Sequence, residues 1–397
     1  MDPVISSNKE SPLLTSLERQ LVEDPFSYRL SSNFPNLSKS KVTVQPQYQA
    51  AGTSHGAELH FKLPRYGLAS KMVIKNTMVA SGNNTAVNER IGERVFSRIE
   101  LRSHNKVIQT QTPEFCAARV DNLGQEANNA YTSIEGIVPT AWSSVSGVCY
   151  TPLFFSFFEK TSNFLDLSFV EELEVVCTVN TKIGMGLPFA LTSGTYELQV
   201  SYVNLADEAH QAYNAKNFPA NAPLTMLAYN CYPETPVTVA AAGGAAVTTT
   251  TVDLKTNNPV FATHFIIKNE TDNQAVVPID SFRITAVGRE VMQQSSRENI
   301  FDTGSYGVSG ATSGSGSGAV TYNAGSRVLT YFWGLSKDRT YNSGAAAFKN
   351  LNNPQAEITW IDNETAADVI KVHVVHEYYN LVSVNPSDGS VTSSLSN

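Results

Sequence analysis

The stretch from Glu93 to Phe115, ERVFSRIELRSHNKVIQTQTPEF, returns in altered form from Pro278 to Ile300, PIDSFRITAVGREVMQQSSRENI. A chain that carries one unit twice is constrained to fold as two similar bodies. In the first copy Val95, Ser97, Ile99 and Leu101 fall on one face of an extended strand, and Phe96, Arg98, Glu100 and Arg102 on the other. Phe282, Ile284 and Ala286 alternate in the same way with Arg283 and Thr285. Each strand breaks at turn residues, Ser103-His104-Asn105 or Gly288, and resumes as a short apolar strand at Val107-Ile108 or Val291-Met292. A helix start follows each hairpin: Thr112-Pro113-Glu114, with Pro in the first turn, and Ser296-Arg297-Glu298, with a Ser able to cap.

Two further echoes keep the same order. LFFSFF at Leu153 to Phe158 returns as LTYFWGL at Leu329 to Leu335, and YVNL at Tyr202 to Leu205 returns as YYNL at Tyr378 to Leu381. Setting Arg98 against Arg283 gives a spacing of 185 (283 − 98) and makes Ile99 and Ile284 equivalent inward positions; the other two echoes give 176 (329 − 153 and 378 − 202). A period near 180 far exceeds a solenoid repeat of roughly 20 to 50 residues, so the repeated unit is a whole domain.

The 397 residues suffice for two domains of ordinary size. Few charges (16%) and abundant Gly, Pro, Asn, Ser and Thr suit short strands joined by turns, so the expected class is all-β. Cys116, Cys149, Cys177 and Cys231 stand far apart with no CxxC pair, which predicts buried thiols rather than a zinc site or a disulfide framework. The N-terminus has no basic stretch followed by an apolar core, and no window approaches the roughly 18 apolar residues of a membrane span, so a soluble, unsecreted protein is expected. Net charge is −8, and the first forty residues hold four basic against five acidic side chains. That balance argues against a nucleic-acid-binding arm, whose affinity comes from neutralising phosphates.

The pattern divides the chain into an arm (1–40), a first sandwich (41–206), a helical connector (207–221), a second sandwich (222–382) and a polar tail (383–397). In the arm, Leu13, Leu14, Leu17 and Leu21 form the apolar stripe of a short helix that needs a partner surface. In the second sandwich SYGVSGATSGSGSGAV, with Gly310, Gly314, Gly316 and Gly318, reads as an exposed flexible loop.

Motifs with chemical meaning are weak. Gly52-Thr53-Ser54-His55-Gly56 fits GxSxG, but a strand-like ELHFKL follows where a nucleophile elbow needs a helix. His373 and His376 differ by three positions on a strand, so they point to opposite faces and cannot chelate one ion. The Gly314 to Gly318 run lacks the flanking strand and helix of a phosphate cradle. No catalytic, metal or cofactor residue is assigned.

Four segments together resemble the double jelly-roll major capsid proteins of double-stranded DNA viruses, the lineage of adenoviruses, tailless membrane phages, virophages and nucleocytoplasmic large DNA viruses. They are RIELRSHNKVIQTQTPEF, TPLFFSFFEKTSNFLDLSFVEELEVV, YVNLADEAHQAY, and VVPIDSFRITAVGREVMQQ with YFWGLSKDRTYNSGAAAFKNLNNPQAEITW. The resemblance implies two tandem jelly-roll β-sandwiches with short connecting helices. It implies a homotrimer forming a pseudo-hexagonal capsomer, tiled with neighbouring capsomers and minor capsid or penton proteins into an icosahedral virion shell, commonly over an inner viral membrane. The Leu13 to Leu21 stripe is then expected to dock at the capsomer base. No cofactor, catalysis or specific nucleic-acid binding is implied. The runner-up is a two-domain jelly-roll carbohydrate-binding protein or glycan hydrolase. Small RNA-virus coat proteins are a third reading, against which the duplication counts.

Overall fold

The computed structural model describes residues 37–47, 55–80, 91–122, 147–156, 164–187, 191–218, 222–243, 246–271, 275–303, 328–337, 339, 343–362 and 368–394. The Leu13, Leu14, Leu17 and Leu21 stripe lies outside them, as do the loop glycines Gly310, Gly314, Gly316 and Gly318 and Gly52 to Ser54 of the GxSxG match.

The first body contains β1 (Leu37–Val44), β2 (Glu58–Lys62), β3 (Leu68–Ala80), β4 (Phe96–Ser103), β5 (Lys106–Gln111), helix α1 (Pro113–Asp121), β6 (Gly147–Leu153), β7 (Leu165–Asp166), β8 (Leu173–Val179), the one-turn α2 (Lys182–Met185) and β9 (Leu191–Leu205). A connecting helix, α3 (Asp207–Asn217), follows. The second body contains β10 (Leu224–Pro233), β11 (Val237–Ala240), β12 (Ala246–Asp253), β13 (Pro259–Asn269), β14 (Ala275–Val277), β15 (Ile279–Ala286), β16 (Arg289–Ser295), α4 (Ser296–Thr303), β17 (Leu329–Phe332), β18 (Ala346–Ala347), β19 (Pro354–Asp362), β20 (Val369–Asn385) and β21 (Ser390–Ser393).

Each body is two antiparallel sheets face to face. Sheet order is β1-β9-β3-β6 over β2-β8-β4-β5 in the first, and β12-β19-β15-β16 under a larger sheet built on β10-β20-β13 in the second. Leu59, Phe61, Ile99, Leu101, Val175 and Cys177 from one sheet meet Met72, Ile74, Leu198 and Val200 from the other in the first core. Phe265, Phe282, Ile284, Ile358, Trp360 and Val372 fill the second. All four cysteines are buried, and none forms a disulfide.

The duplication extends to the irregularities. One extra residue is inserted in β4 between Phe96 and Arg98 against β8, and in β15 between Ile279 and Ser281 against β19. The β4–β5 register shifts between Leu101 and Arg102, and the β15–β16 register between Ile284 and Thr285. Both hairpin turns carry two consecutive positive φ angles, 48° and 61° at His104 and Asn105, 52° and 70° at Val287 and Gly288. All three features recur at a spacing of 183 (279 − 96, 284 − 101 and 287 − 104). A third bulge recurs where β3 meets β9, between Ala69 and Lys71, and where β13 meets β20, between Val260 and Ala262. β-Bulges are designed features of a strand rather than noise, so their recurrence is a firmer sign of common plan than residue identity.

These matches correct the sequence reading. Leu101, not Ile99, is the counterpart of Ile284, and Ile99 corresponds to Phe282. The sequence alignment slips by two residues, which leaves each side chain on its own face and so leaves the hydrophobic pattern intact. The bulge at Ser97 also turns Phe96 inward, where it is 1% exposed and packs on Tyr196, against the outward place that simple alternation gives it. The cap of α4 is Ser295: its Oγ accepts from Glu298 N at 3.4 Å while Glu298 Oε2 accepts from Ser295 N at 2.8 Å, a reciprocal capping box. β6 ends at Leu153, so Phe154 and Phe155 of the LFFSFF run follow the strand.

The expectation of a polar tail from Ser383 also fails. β20 continues to Asn385, a turn with Gly389 at φ 67° follows, and β21 returns along β20. The segment reads as polar because Ser387 and Ser390 hydrogen-bond to Asn385 and Asp388 within the turn, while one inward residue, Val391, carries the burial. Val391 enters the first core together with Val382 and Val384.

Candidate functional site: the junction between the rolls

Helix α1 lies in the joint between the two bodies. Pro113 occupies its first turn and Thr112 caps it, Oγ1 accepting from Phe115 N at 3.3 Å. Phe115, Cys116 and Val120 pack against Phe154, Cys231 and Val375, and Ala117 and Ala118 against Ile266 and Val328. Beside the helix, β5 meets β10 through polar groups. Thr110 N donates to Asn230 Oδ1 at 2.8 Å, Cys231 Sγ donates to Thr110 O at 3.1 Å, and Gln109 Nε2 donates to Tyr229 O.

Two buried charge clusters complete the joint. Lys268 Nζ donates to Glu114 Oε1 at 2.7 Å, with His373 Nδ1 at 3.8 Å from the same oxygen. Burial alone would raise the Glu114 carboxyl, but Lys268 and His373 outweigh it and hold it at about 2. Burial lowers His373 to about 4 against the pull of Glu114. At the other end of the helix Glu377, 1% exposed, takes a two-pronged grip from Arg339 at 2.6 and 2.7 Å, with Arg119 at 3.8 Å and His264 at 3.6 Å. Burial opposes the charge here too, and Arg339 and Arg119 hold the carboxyl well below its ordinary range. Arg119 also lies over the Phe154 ring, and Arg339 over Phe261 and Phe332.

His373 and His376 face different partners. His373 turns to Glu114, whereas His376 meets Thr263 Oγ1 at 3.0 Å and Glu234 at 3.3 Å. Among the described residues no three His, Cys, Asp or Glu side chains are arranged to hold a metal ion. The arrangement is a mechanical joint: opposite charges from two bodies neutralise one another away from water.

The sequence reading missed Glu114, Arg119, Lys268, Arg339 and Glu377 as a group. One signal was present, since Glu377 interrupts VIKVHVVHEYYNL, a run apolar enough to be covered on both faces. A carboxylate there requires a buried cation, but only the fold identifies it as Arg119 and Arg339.

No family model matches the sequence, and no curated protein does. Solved structures do match. PBCV-1 VP54, fitted into a reconstruction of the virophage Sputnik, is 15% identical with a TM-score of 0.68, covering 94% of this chain and 100% of its own. The Faustovirus major capsid protein is 10% identical with a TM-score of 0.55, covering 89% and 92%. The mavirus major capsid protein is 12% identical with a TM-score of 0.52, covering 93% and 92%. With the strand order and paired bulges, these likenesses identify the fold as a double jelly roll, the architecture of those viral capsid proteins.

Proposed function

We propose that the chain is the major capsid protein of a double-stranded DNA virus, a structural rather than catalytic protein that resides in the virion. The carrying observation is that both rolls match a capsid protein end to end, over 94% of this chain and the whole of the other. A likeness confined to one roll would fit any protein bearing a jelly-roll module. Three molecules of a two-roll chain supply six similar units, so a threefold oligomer fills a hexagonal site. In this reading neighbouring capsomers, minor or penton proteins and an inner membrane surface are the partners, and the Leu13 to Leu21 stripe docks at the capsomer base. No helix among the described residues is long and apolar enough to cross a membrane. Native mass spectrometry of the purified chain tests the proposal: a trimer is expected, and a stable monomer or dimer at micromolar concentration overturns it.

A further inference from the structure

Because the rolls share one plan, the packing of one roll's edge and helix on the other's sheet has an equivalent pair of surfaces elsewhere on the molecule. Within the chain, the β5 edge and α1 of the first roll cover the outer face of β10, β20 and β13. The equivalent edge is β16 with α4, and the equivalent face is that of β1, β9 and β3. The internal pair is buried, including eight of the nine residues of α1. The other edge is open, with Glu290, Val291, Gln293, Arg297, Glu298 and Asp302 all exposed.

The matched bulges let charges be compared position by position. The spacing of 183 puts Arg297 in the place of Glu114 and Asp302 in the place of Arg119. On the faces, Tyr202 and Tyr378 hold equivalent places, pairing with Ala69 and Val260 one step before the shared bulge. Glu197 therefore takes the place of His373. Ser201, paired with Lys41 on one side and Lys71 on the other, takes that of Glu377. Inside the chain the helix acid Glu114 meets Lys268 and His373, and the helix base Arg119 meets Glu377. In the open pair both signs are reversed together: the base Arg297 is set against the acid Glu197, a half-buried carboxylate that also holds Lys75 at 3.3 Å and Gln45 at 3.1 Å, and the acid Asp302 against Lys41 and Lys71, which are exposed.

Building on the capsomer reading, we infer that β16 and α4 of one molecule dock on the β1-β9-β3 face of the next, with Arg297 meeting Glu197 and Asp302 meeting Lys41 and Lys71. The contact between molecules then repeats the contact between rolls with its polarity inverted, and a head-to-tail ring alternates the two. Inversion also rejects the wrong partner. An α4 presented to another molecule's second-roll face would set Arg297 against Lys268 and Asp302 against Glu377. The joint between molecules is more polar than the internal one: Glu298 replaces Phe115, and Lys41 and Gln199 replace Cys231 and Val375. It is therefore more sensitive to salt.

Charge swaps in the full chain test this, with oligomer mass followed by sedimentation and folding by circular dichroism. Asp302→Lys, the pair Lys41→Asp with Lys71→Asp, and Arg297→Glu are each expected to weaken trimers at least about tenfold, with secondary structure unchanged. Combining Asp302→Lys with Lys41→Asp and Lys71→Asp, or Arg297→Glu with Glu197→Arg, is expected to restore them. Wild-type trimers that none of these folded variants weakens, or combinations that fail to recover, overturn the docking but leave the capsomer reading standing. A monomeric wild type defeats that reading instead.

Discussion

Replacing Glu377 with Gln removes one charge and almost no volume from the joint. The carboxylate it deletes is 1% exposed and balances two guanidiniums, Arg339 at 2.6 Å with 16% of its side chain exposed and Arg119 at 3.8 Å with 6% exposed. Removing one member of a buried ion pair leaves the other charged and dry, which costs about 3 to 5 kcal/mol. Partial hydration of Arg339 moves the expectation to the lower half of that range. Because Arg119 belongs to the first roll and Glu377 to the second, the loss also falls on the coupling between rolls. Urea unfolding at neutral pH, followed by tryptophan fluorescence and far-ultraviolet dichroism, is expected to show a lower midpoint and separate transitions by the two probes. Replacing Glu377 by Leu and both arginines by Met should recover most of the loss, since an apolar cluster of similar volume needs no counter-charge. A Glu377→Gln protein within about 1 kcal/mol of wild type would refute the idea that the joint rests on these charges.

Acid should weaken the protein in two windows. His373 is lowered from 6.5 to about 4, so the unfolded chain takes up its proton first and stability is lost as pH falls from 6.5 towards 4. Glu114, lowered from 4.5 to about 2, adds a loss below 4.5, as does Glu377, and denaturant midpoints from neutral to acid pH check both, with His373→Gln shrinking the upper window, to which His264 and His376, also lowered by burial, contribute. Val287 is a β-branched residue at φ 52° and 65% exposed, followed by Gly288. Val287→Asn creates the Asn-Gly pair this turn geometry favours and should stabilise by about 1 kcal/mol, raising Tm by roughly 2–4 °C in calorimetry. Deleting residues 1–30 should leave trimers intact but impair shell assembly; by electron microscopy, shells as stable as those of the full chain would refute a docking role for the Leu13 to Leu21 stripe.

Much of the fold is legible in the sequence because strand alternation and turn chemistry are local. Ser103-His104-Asn105 reads as a turn and is one, and the Thr112-Pro113 helix start holds. Register is not local. The bulges at Ser97 and Asp280 leave no mark in hydrophobicity, so the two copies align two residues out of step until backbone pairing is seen. β11, β14 and β21 are too short or too polar to stand out. The charged joint depends on partners such as Glu114 and Lys268, 154 residues apart, whose meeting no local pattern encodes.

The strand β21 has a consequence for synthesis. Val391 N donates to Ser103 Oγ across 288 residues, and Gly389 O accepts from Glu171 N, so the first roll is sealed by a segment made long after its own strands. Once β9 ends at Leu205, 186 residues remain before Val391 (391 − 205), so at translation rates of roughly 5 to 20 residues per second the first core waits about 10 to 40 seconds for it. A nascent chain therefore presents an unfinished wall through most of its production, a natural handle for chaperones. A prematurely terminated product lacks the last apolar plug, and truncation at the far end of the polypeptide is felt first in the opposite lobe.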